Sequence, residues 1–121
     1  MRECIFCKIA NKDTHSEDIE YEDDTVIAFP DVHPIAPVHI LIIPKKHIAS
    51  INDLPENGEG EKIVGKLIMI AKKLAEKKGI DKDGYKLLFR TGKYGGQEVP
   101  HIHLHLIGGA RLSEDIKPIY S

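Results

Sequence analysis

The chain has 121 residues, of which 41% are hydrophobic and 30% are charged, and its 17 Lys and Arg are outnumbered by 19 Asp and Glu. This length suits a single domain over residues 1–121, and the net charge of −2 excludes the basic surplus typical of proteins that bind nucleic acid. No apolar run reaches the roughly 18 residues that a membrane span needs, and the start of the chain lacks the pattern of a secretory signal. We therefore expect a cytoplasmic protein with no membrane segment.

The first half of the chain predicts a short helix followed by three strands. The helix, over residues 4–10, would carry both cysteines of the chain. Strands are predicted over 19–22 and 25–29, on either side of a turn at Asp23-Asp24. Residues 38–43 are almost continuously apolar and β-branched, which is typical of a strand buried on both faces.

Pro44 ends this third strand because proline cannot donate a hydrogen bond to the ladder. The longest predicted element, a helix over residues 59–78, follows. Apolar residues recur along one helical face, namely Ile63, Val64, Leu67, Ile68, Ile70, Ala71, Leu74 and Ala75. Acidic residues near the start and lysines near the end complement the helix dipole. Gly79 fits the left-handed residue that commonly follows a helix.

Two further strands are predicted over residues 85–91 and 102–107, the second ended by Gly108-Gly109. Strands followed by one long helix and then more strands favour an α+β fold. We expect an antiparallel sheet of about five strands, packed by the long helix and the short N-terminal helix. A parallel α/β sheet would need a crossover helix between successive strands, and only one long helix is available.

The last predicted strand carries three histidines, His101, His103 and His105, which alternate with large apolar residues. On a strand the histidines would share one face and the apolar residues the other. Two functions suit such a face. Three neutral imidazoles can bind a catalytic zinc ion, or one imidazole can act as a nucleophile that its neighbours orient. The spacing alone does not separate these alternatives.

The loop before the histidines, residues 92–97, is rich in glycine. Glycine-rich turns can present backbone N–H groups to an anion, although a plain connection between strands needs glycine as well. The loop lacks the Gly-Lys-Ser/Thr ending of the Walker motif. Beside the three histidines, it favours a phosphate-binding site.

Cys4 and Cys7 form a single Cys-x-x-Cys. A thioredoxin-like motif would follow a strand and open a helix in a βαβ unit, whereas no strand precedes this one. A structural disulfide does not suit a reducing cytosol. The motif therefore predicts half of a metal site, which two further ligands would complete.

Four sequence blocks resemble the histidine triad (HIT) family of nucleotide hydrolases and transferases. They are GGQEVPHIHLH at residues 95–105, AFPDVHPIAPVH at 28–39, LIIPKKH at 41–47 and CIFCKI at 4–9. Together with the helix between them, they cover nearly the whole chain in the family's order. The chain is most similar to the Hint branch, the nucleoside phosphoramidate hydrolases.

This resemblance implies a role for each catalytic histidine. His103 would attack the α-phosphorus and form a nucleotidyl-imidazole, which water would hydrolyse to the nucleoside monophosphate. His105 would hydrogen-bond a phosphate oxygen and assist the leaving group. His39 would support the nucleophile from a neighbouring strand, and the backbone carbonyl of His101 would orient its ring.

The resemblance also implies a nucleotide pocket. Asp31 would accept hydrogen bonds from the ribose hydroxyls, which suits a carboxylate because it is only an acceptor. Phe29 and Val32 would lie beside the base, although both also fit an ordinary core, and Asp31 also fits a turn. The phosphate would be lined by Gly96, Gln97 and Glu98, with Arg90 nearby.

Two residues and the C-terminal segment depart from the Hint pattern. Arg90 stands where that branch generally has asparagine, so it would either reach a phosphate or change the choice of substrate. Glu98 replaces a serine found in many members. Residues 111–121 resemble no Hint C-terminus, which affects the side of the site that receives the leaving group.

By analogy with family members that begin with Cys-x-x-Cys, the metal would be a structural zinc bound by Cys4, Cys7, His47 and His101. Two cysteines and two histidines make a closed tetrahedral site. The family further implies a homodimer and no organic cofactor.

The function implied is hydrolysis of purine nucleoside 5′-phosphoramidates, or of related AMP conjugates, through a covalent intermediate on His103. The alternatives are a nucleotide-binding protein with little turnover and a zinc metallohydrolase with its metal on the triad. A dinucleoside polyphosphate hydrolase or nucleotidyl transferase of the same family is a further alternative.

Overall fold

The secondary structure follows the predicted order. In the computed structural model, which describes residues 4–12 and 18–120, the elements are α1 (Ile5–Ala10), β1 (Tyr21–Glu22), β2 (Val26–Pro30), β3 (Val38–Pro44), a 3₁₀ turn (Ile51–Asp53), α2 (Gly58–Lys77), β4 (Tyr85–Leu88) and β5 (Leu104–Gly108). In the part of the chain that the structure describes, neither helix has the length and apolar character that a bilayer crossing requires.

The five strands form one antiparallel sheet in the order β1-β2-β3-β5-β4, which confirms the predicted α+β fold. The central strand β3 is buried on both faces, as its sequence predicts. Ile40 and Ile42 pack with α2 on one face. Leu41 and Ile43 pack with Phe6 of α1 on the other face. Because side chains alternate along a strand, the α1 face is also the face that receives His39 and His105.

Helix α2 begins where the Asn57 side chain accepts a hydrogen bond from the Glu59 N–H, at 2.9 Å. Gly79 has φ +72°, which confirms the predicted left-handed residue after the helix. One residue of the predicted apolar face is not buried, since Ile68 is 39% exposed. Leu67 and Ala71 face the sheet, and a helical rotation of about 100° per residue carries Ile68 to the edge of that face.

Strand β5 starts two residues later than predicted, and the cause lies in β3. Ile42 pairs with Leu104, and the next pairing would involve Pro44, which has no N–H to donate. The Pro44 carbonyl instead accepts a hydrogen bond from the His101 ring at 2.8 Å, and the Ile102 N–H donates to the Ile48 carbonyl at 2.7 Å. His101 and His103 therefore precede the strand, and their rings can point in different directions.

The other boundaries differ by a few residues. Strand β4 ends at Leu88, three residues before its predicted end, because its last partner on β5 is His105. Strand β1 is limited to Tyr21–Glu22, although the Glu20 N–H still donates to the Ala28 carbonyl at 2.8 Å. Asp23 forms the predicted turn, since its carboxylate accepts from the backbone N–H of Thr25 and Val26.

Candidate active site

Three histidines, His39 from β3 and His103 and His105 from the β5 region, lie close together on the α1 face of the sheet. His103 and His105 have ring centroids 4.9 Å apart, and His39 and His105 have centroids 5.2 Å apart. All three are buried, as is His101. A ring nitrogen of a buried histidine needs an acceptor when it carries a proton. The hydrogen-bond partners around the ring therefore define its tautomer, that is, which of the two nitrogens is protonated.

The tautomer of His103 is fixed by a backbone carbonyl. Its Nδ1 lies 2.7 Å from the carbonyl oxygen of His101, which can only accept, so Nδ1 carries the proton. Burial lowers the pKa of His103, against an opposing effect of its hydrogen bond to His101, and the ring is therefore neutral at pH 7. The lone pair of a neutral ring in this tautomer is on Nε2. The Phe6 ring and this imidazole pack edge to face, with centroids 5.0 Å apart.

A second chain of hydrogen bonds fixes His39 and His105. The Ile35 N–H donates to Nδ1 of His39 at 3.2 Å, so the proton of a neutral His39 ring is on Nε2. That Nε2 lies 2.9 Å from Nδ1 of His105 and donates to it. The proton of His105 is therefore on its own Nε2, where the ring presents a donor to the cavity. Burial, with smaller effects of His103 and Arg90, lowers the pKa of His105 to about 3, so the ring stays neutral.

The hydrogen bonds from Ile35 through His39 to His105 also argue against the metallohydrolase alternative. Among the described residues, Asp31, His39 and His105 place one possible ligand atom each within 4.8 Å of one another. However, His39 offers Nε2, which carries the proton because Nδ1 accepts from the Ile35 backbone. Asp31 Oδ2, at 3.3 Å from this Nε2, is a second acceptor for the same N–H. The group is therefore organised as a hydrogen-bond chain, whereas a metal would require the lone pair at this nitrogen.

His39, His103 and His105 open into a cavity of about 820 Å³, a volume typical of small-molecule sites. Of the other residues predicted to bind nucleotide, those that line it are Phe29, Asp31, Val32, Arg90, Gly96 and Glu98. Asp31 is both a turn residue and a cavity residue: its Oδ1 accepts from the His33 N–H at 2.9 Å, as in an Asx turn. Phe29 is buried in the core beneath the cavity, whereas Val32 is 85% exposed at its mouth.

Gln97 holds the glycine-rich loop in shape and does not line the main cavity. Its Oε1 accepts from the Gly92 N–H at 3.0 Å, and its Nε2 donates to the carbonyls of Ala49 and Val99 at 2.7 and 2.9 Å. The side-chain amide is thus used within the protein. Gly95 is required by close packing, since a Cβ there would collide with the Thr91 backbone.

Several cavity residues were not identified from the sequence. Helix α1 contributes Ile5 and Ile9 to the lining, the segment before β1 contributes Asp18, and the connection from β2 to β3 contributes Ile35. Ile5 and Ile9 are four residues apart, which places them on one side of a helix. The spacing is the one signal in the sequence, and the 47% exposure of Ile5 in the structure leaves this apolar side chain open to the cavity.

The second cluster consists of the four predicted metal ligands. Sγ of Cys4 lies 3.3 Å from Nδ1 of His101, and Sγ of Cys7 lies 3.1 Å from Nδ1 of His47 and 3.4 Å from Nδ1 of His101. Nε2–H of His101 donates to the Pro44 carbonyl, so the Nδ1 lone pair faces both sulfurs, as in histidines that bind metals. Burial, together with the neighbouring Cys4, raises the pKa of the Cys7 thiol to about 11. A bound cation would reverse this effect, and the four residues could hold a metal ion.

A five-stranded antiparallel sheet that carries these hydrogen-bonded histidines beside a cavity defines a histidine triad protein. The chain belongs to the HIT family, since the HIT domain matches residues 12–112. It is 50% identical over 110 residues to the purine nucleoside phosphoramidase of Escherichia coli (strain K12), which covers 91% of this chain and 90% of that protein. It is a homologue of that enzyme, as the sequence resemblance predicted.

Solved structures agree with this assignment. The crystal structure of a HIT family hydrolase from Legionella pneumophila Philadelphia 1 matches with a TM-score of 0.88 and 44% identity, over 93% of this chain and 98% of that one. A histidine triad protein from Clostridium difficile matches over the full length of both chains, with a TM-score of 0.86 and 43% identity. The described residues of this chain therefore have the HIT fold.

Proposed function

We propose that this protein hydrolyses purine nucleoside 5′-phosphoramidates, or related AMP conjugates, through a covalent intermediate on His103. Two observations support this proposal: the homology to a purine nucleoside phosphoramidase and the tautomer of His103. With Nδ1–H bonded to the His101 carbonyl, the Nε2 lone pair of a neutral ring is available to attack phosphorus.

The reaction has two balanced steps. In the first, a bond forms between Nε2 of His103 and the α-phosphorus, the bond from phosphorus to the leaving nitrogen breaks, and the departing amine takes a proton from water, which leaves a hydroxide ion. In the second, the oxygen of a second water molecule bonds to phosphorus, the bond to Nε2 breaks, and the water proton that is released neutralises the hydroxide, so that one water is consumed overall. The products are an amine, a nucleoside 5′-monophosphate and the original neutral ring.

The neighbouring residues would bind and orient the nucleotide. His105 Nε2–H, held as a donor by His39, would hydrogen-bond a phosphoryl oxygen. The Asp31 carboxylate would accept from the ribose hydroxyls, because its Oδ1 has capacity beyond the one backbone bond that it accepts. The base would lie between Val32 and the apolar wall of Ile5 and Ile9. Gly96 and Glu98 would border the phosphate, and Gln97 would support them by holding the loop.

The test is to replace His103. We expect His103→Ala to lose turnover of an AMP phosphoramidate and to retain AMP binding, and mass spectrometry of the wild-type protein to detect a nucleotidyl adduct on His103. In His103→Gly, added imidazole should restore part of the turnover, whereas it should not accelerate the wild-type enzyme. Turnover by His103→Ala at the wild-type rate would refute the mechanism. AMP binding without turnover by the wild-type protein would identify a binding protein instead.

A comparison of substrates separates the remaining alternatives. If this protein shares the activity of its E. coli homologue, the AMP phosphoramidate should have a higher kcat/KM than diadenosine polyphosphates. A preference for the polyphosphates would indicate a dinucleoside polyphosphate hydrolase. Immediate loss of turnover on chelation would indicate a catalytic metal.

We further propose that Cys4, Cys7, His47 and His101 bind a structural zinc ion. The tautomer of His101 and the donor set of two sulfurs and two nitrogens suit tetrahedral zinc. Zinc at about 1,000 times its Kd would add roughly 4 kcal/mol to stability, which for a domain of this size raises Tm by on the order of 10–20 °C. A chelator should reverse this rise without abolishing activity at low temperature. The double variant Cys4→Ser, Cys7→Ser should show neither effect, and a Tm unaffected by zinc would contradict the site.

The chain is proposed to act as a homodimer. Strand β4 is an edge strand of the sheet, and α2 beside it exposes Ile68 and Met69, the latter 54% exposed. Light scattering should give twice the 13.6 kDa mass of one chain, and Met69→Lys should shift the protein toward the monomer. A wild-type monomer at micromolar concentration would rule this out.

We also propose that residues 1–121 form one HIT-like domain that functions in the cytoplasm. The two core clusters share a single sheet, which supports one cooperative unit, and the cysteines are free thiols, which suits a reducing compartment. Unfolding transitions recorded by far-UV circular dichroism and by tyrosine fluorescence should coincide. Fractionation of cells that express the protein should find it with cytoplasmic markers.

A further inference from the structure

Arg90 places a positive charge in a cavity that is otherwise acidic. Among the described residues that line the cavity, it is the only lysine or arginine, whereas Asp18, Asp31 and Glu98 carry carboxylates. In the part of the chain that the structure describes, Arg90 forms no ion pair with any carboxylate. A partly buried guanidinium without a carboxylate partner is suited to binding an anionic ligand.

The contact between Arg90 and His105 points to the same ligand. Nη1 of Arg90 lies 3.4 Å from Nε2 of His105. The hydrogen bonds from Ile35 through His39 place the His105 proton on this Nε2. Both groups are therefore donors, and they cannot bond to each other. Two donors this close can share one acceptor, such as an oxygen of an anion.

The position of Arg90 relative to the loop and to the proposed nucleophile suits a phosphoryl group as this anion. The side chain passes over Gly96, where a Cβ would lie 3.5 Å from Cδ of Arg90. The His103 ring is the next neighbour of His105, with centroids 4.9 Å apart. A phosphoryl group that reacts with His103 would thus lie within reach of both donors.

We propose that Arg90 determines which charge state of the phosphoryl group the site prefers, and that it holds the 5′-monophosphate product more tightly than the substrate. The inference rests on the proposed function for the identity of the nucleotide. A phosphoramidate has one negative charge on its phosphoryl oxygens, whereas a monophosphate has nearly two above its second pKa of about 6. Arg90 and the His105 donor stabilise the second charge, which the three carboxylates of the cavity would otherwise disfavour.

The experiment compares three ligands that differ in charge on the same nucleoside. Binding of AMP, of its singly charged methyl ester and of uncharged adenosine is measured by calorimetry at pH 7.5 and low salt. The proteins are the wild type, Arg90→Gln and Arg90→Lys. The matched control is Lys82→Gln, which removes the same charge from an exposed residue outside the cavity and outside the glycine-rich loop. Thermal unfolding of each variant verifies that it is folded.

We expect the wild-type protein to bind AMP at least about 10-fold more tightly than the methyl ester. Arg90→Gln should weaken AMP binding by roughly 10- to 100-fold, the range for a charged hydrogen bond, and should change adenosine binding by less than about twofold. Arg90→Lys should retain part of the preference because it keeps the charge without the planar donors. Lys82→Gln should leave all three affinities nearly unchanged. In turnover assays, AMP should inhibit the wild type at concentrations below the substrate KM.

Equal weakening of all three ligands by Arg90→Gln would overturn the proposal, because Arg90 would then only shape the pocket. Unchanged AMP binding by this variant, or no AMP binding by the wild type, would overturn it as well. The proposed hydrolysis fails separately: a protein without turnover whose AMP affinity depends on Arg90 supports this inference alone. Turnover with an Arg90-independent AMP affinity supports the hydrolysis alone.

Discussion

Acid should destabilise this protein because its active-site histidines are buried in the neutral form. His105 has a pKa of about 3 in the folded chain, mainly because of burial, against about 6.5 for a histidine in an unfolded chain. As the pH falls below 6.5, the unfolded state binds a proton that the folded state excludes. Stability due to this group is therefore fully present above pH 6.5 and is lost progressively as the pH falls toward 3.

The size of the effect follows from the difference between the pH of the solution and the pKa of histidine in the unfolded chain. At pH 5 this difference is about 1.5 pH units, which corresponds to roughly 2 kcal/mol of lost stability for His105. His101, with a folded pKa of about 4 that also results mainly from burial, contributes in the same direction when no metal is bound. We expect the free energy of unfolding of the metal-free protein to fall by roughly 2–4 kcal/mol between pH 7.5 and pH 5.

The assay is urea denaturation at both pH values, with a chelator present so that acid-induced loss of metal does not contribute. His105→Asn should reduce the pH dependence by roughly 2 kcal/mol. The control is His33→Asn, which removes an exposed histidine and should leave the pH dependence as in the wild type. An unchanged pH dependence in His105→Asn would refute the assignment of a buried neutral ring.

Three further substitutions test other parts of the structure. Gly95→Ala should lower kcat/KM by at least about 10-fold, because its Cβ would collide with the Thr91 backbone and displace the loop; wild-type kinetics would contradict this. Asp31→Asn should keep the turn to His33 but lose a charged acceptor, so KM should rise by roughly 10-fold with Tm nearly unchanged. The rise should vanish with a 2′,3′-dideoxy substrate. Leu106→Ala, in the fully buried core under α2, should cost about 2–5 kcal/mol in chemical denaturation.

The fold could be predicted from the sequence because its elements follow from local periodicity. The β-branched run of β3 and the helical spacing of α2 each determine one buried surface. Strand ends were less accurate, since they depend on the partner strand. The late start of β5 follows from the pairing of β3, in which Pro44 has no N–H to offer, and β4 ends where its pairing with β5 ends, at His105.

The site was predictable in its residue types and less so in its geometry. The alternation of histidines could indicate either a metal or a nucleophile, and the hydrogen bonds from Ile35 and from the His101 carbonyl, which define the tautomers, arise only in the folded chain. Gln97 was predicted beside the phosphate, and its side-chain amide bonds to the Gly92 N–H and to the Ala49 carbonyl. No local pattern distinguishes a glutamine that folds a loop from one that contacts a ligand.

The metal cluster illustrates a similar limit. The spacing of Cys4 and Cys7 indicates half a site, whereas His47 and His101 are 40 and 94 residues from Cys7 along the chain. Only the family resemblance connected them before the fold was known. The exposed face of Ile5 was missed for a related reason, because a six-residue helix is too short for its apolar spacing to be distinctive.

The acceptor that holds the His103 ring is an uncharged peptide oxygen, and this has a chemical consequence. In serine proteases the corresponding partner is a carboxylate, whose negative charge stabilises a cationic imidazolium. A peptide oxygen orients the ring but compensates little of the positive charge that the ring would gain when it is bonded to phosphorus. The nitrogen–phosphorus bond would consequently remain a good target for water, and a short-lived adduct suits an enzyme that returns to its resting state.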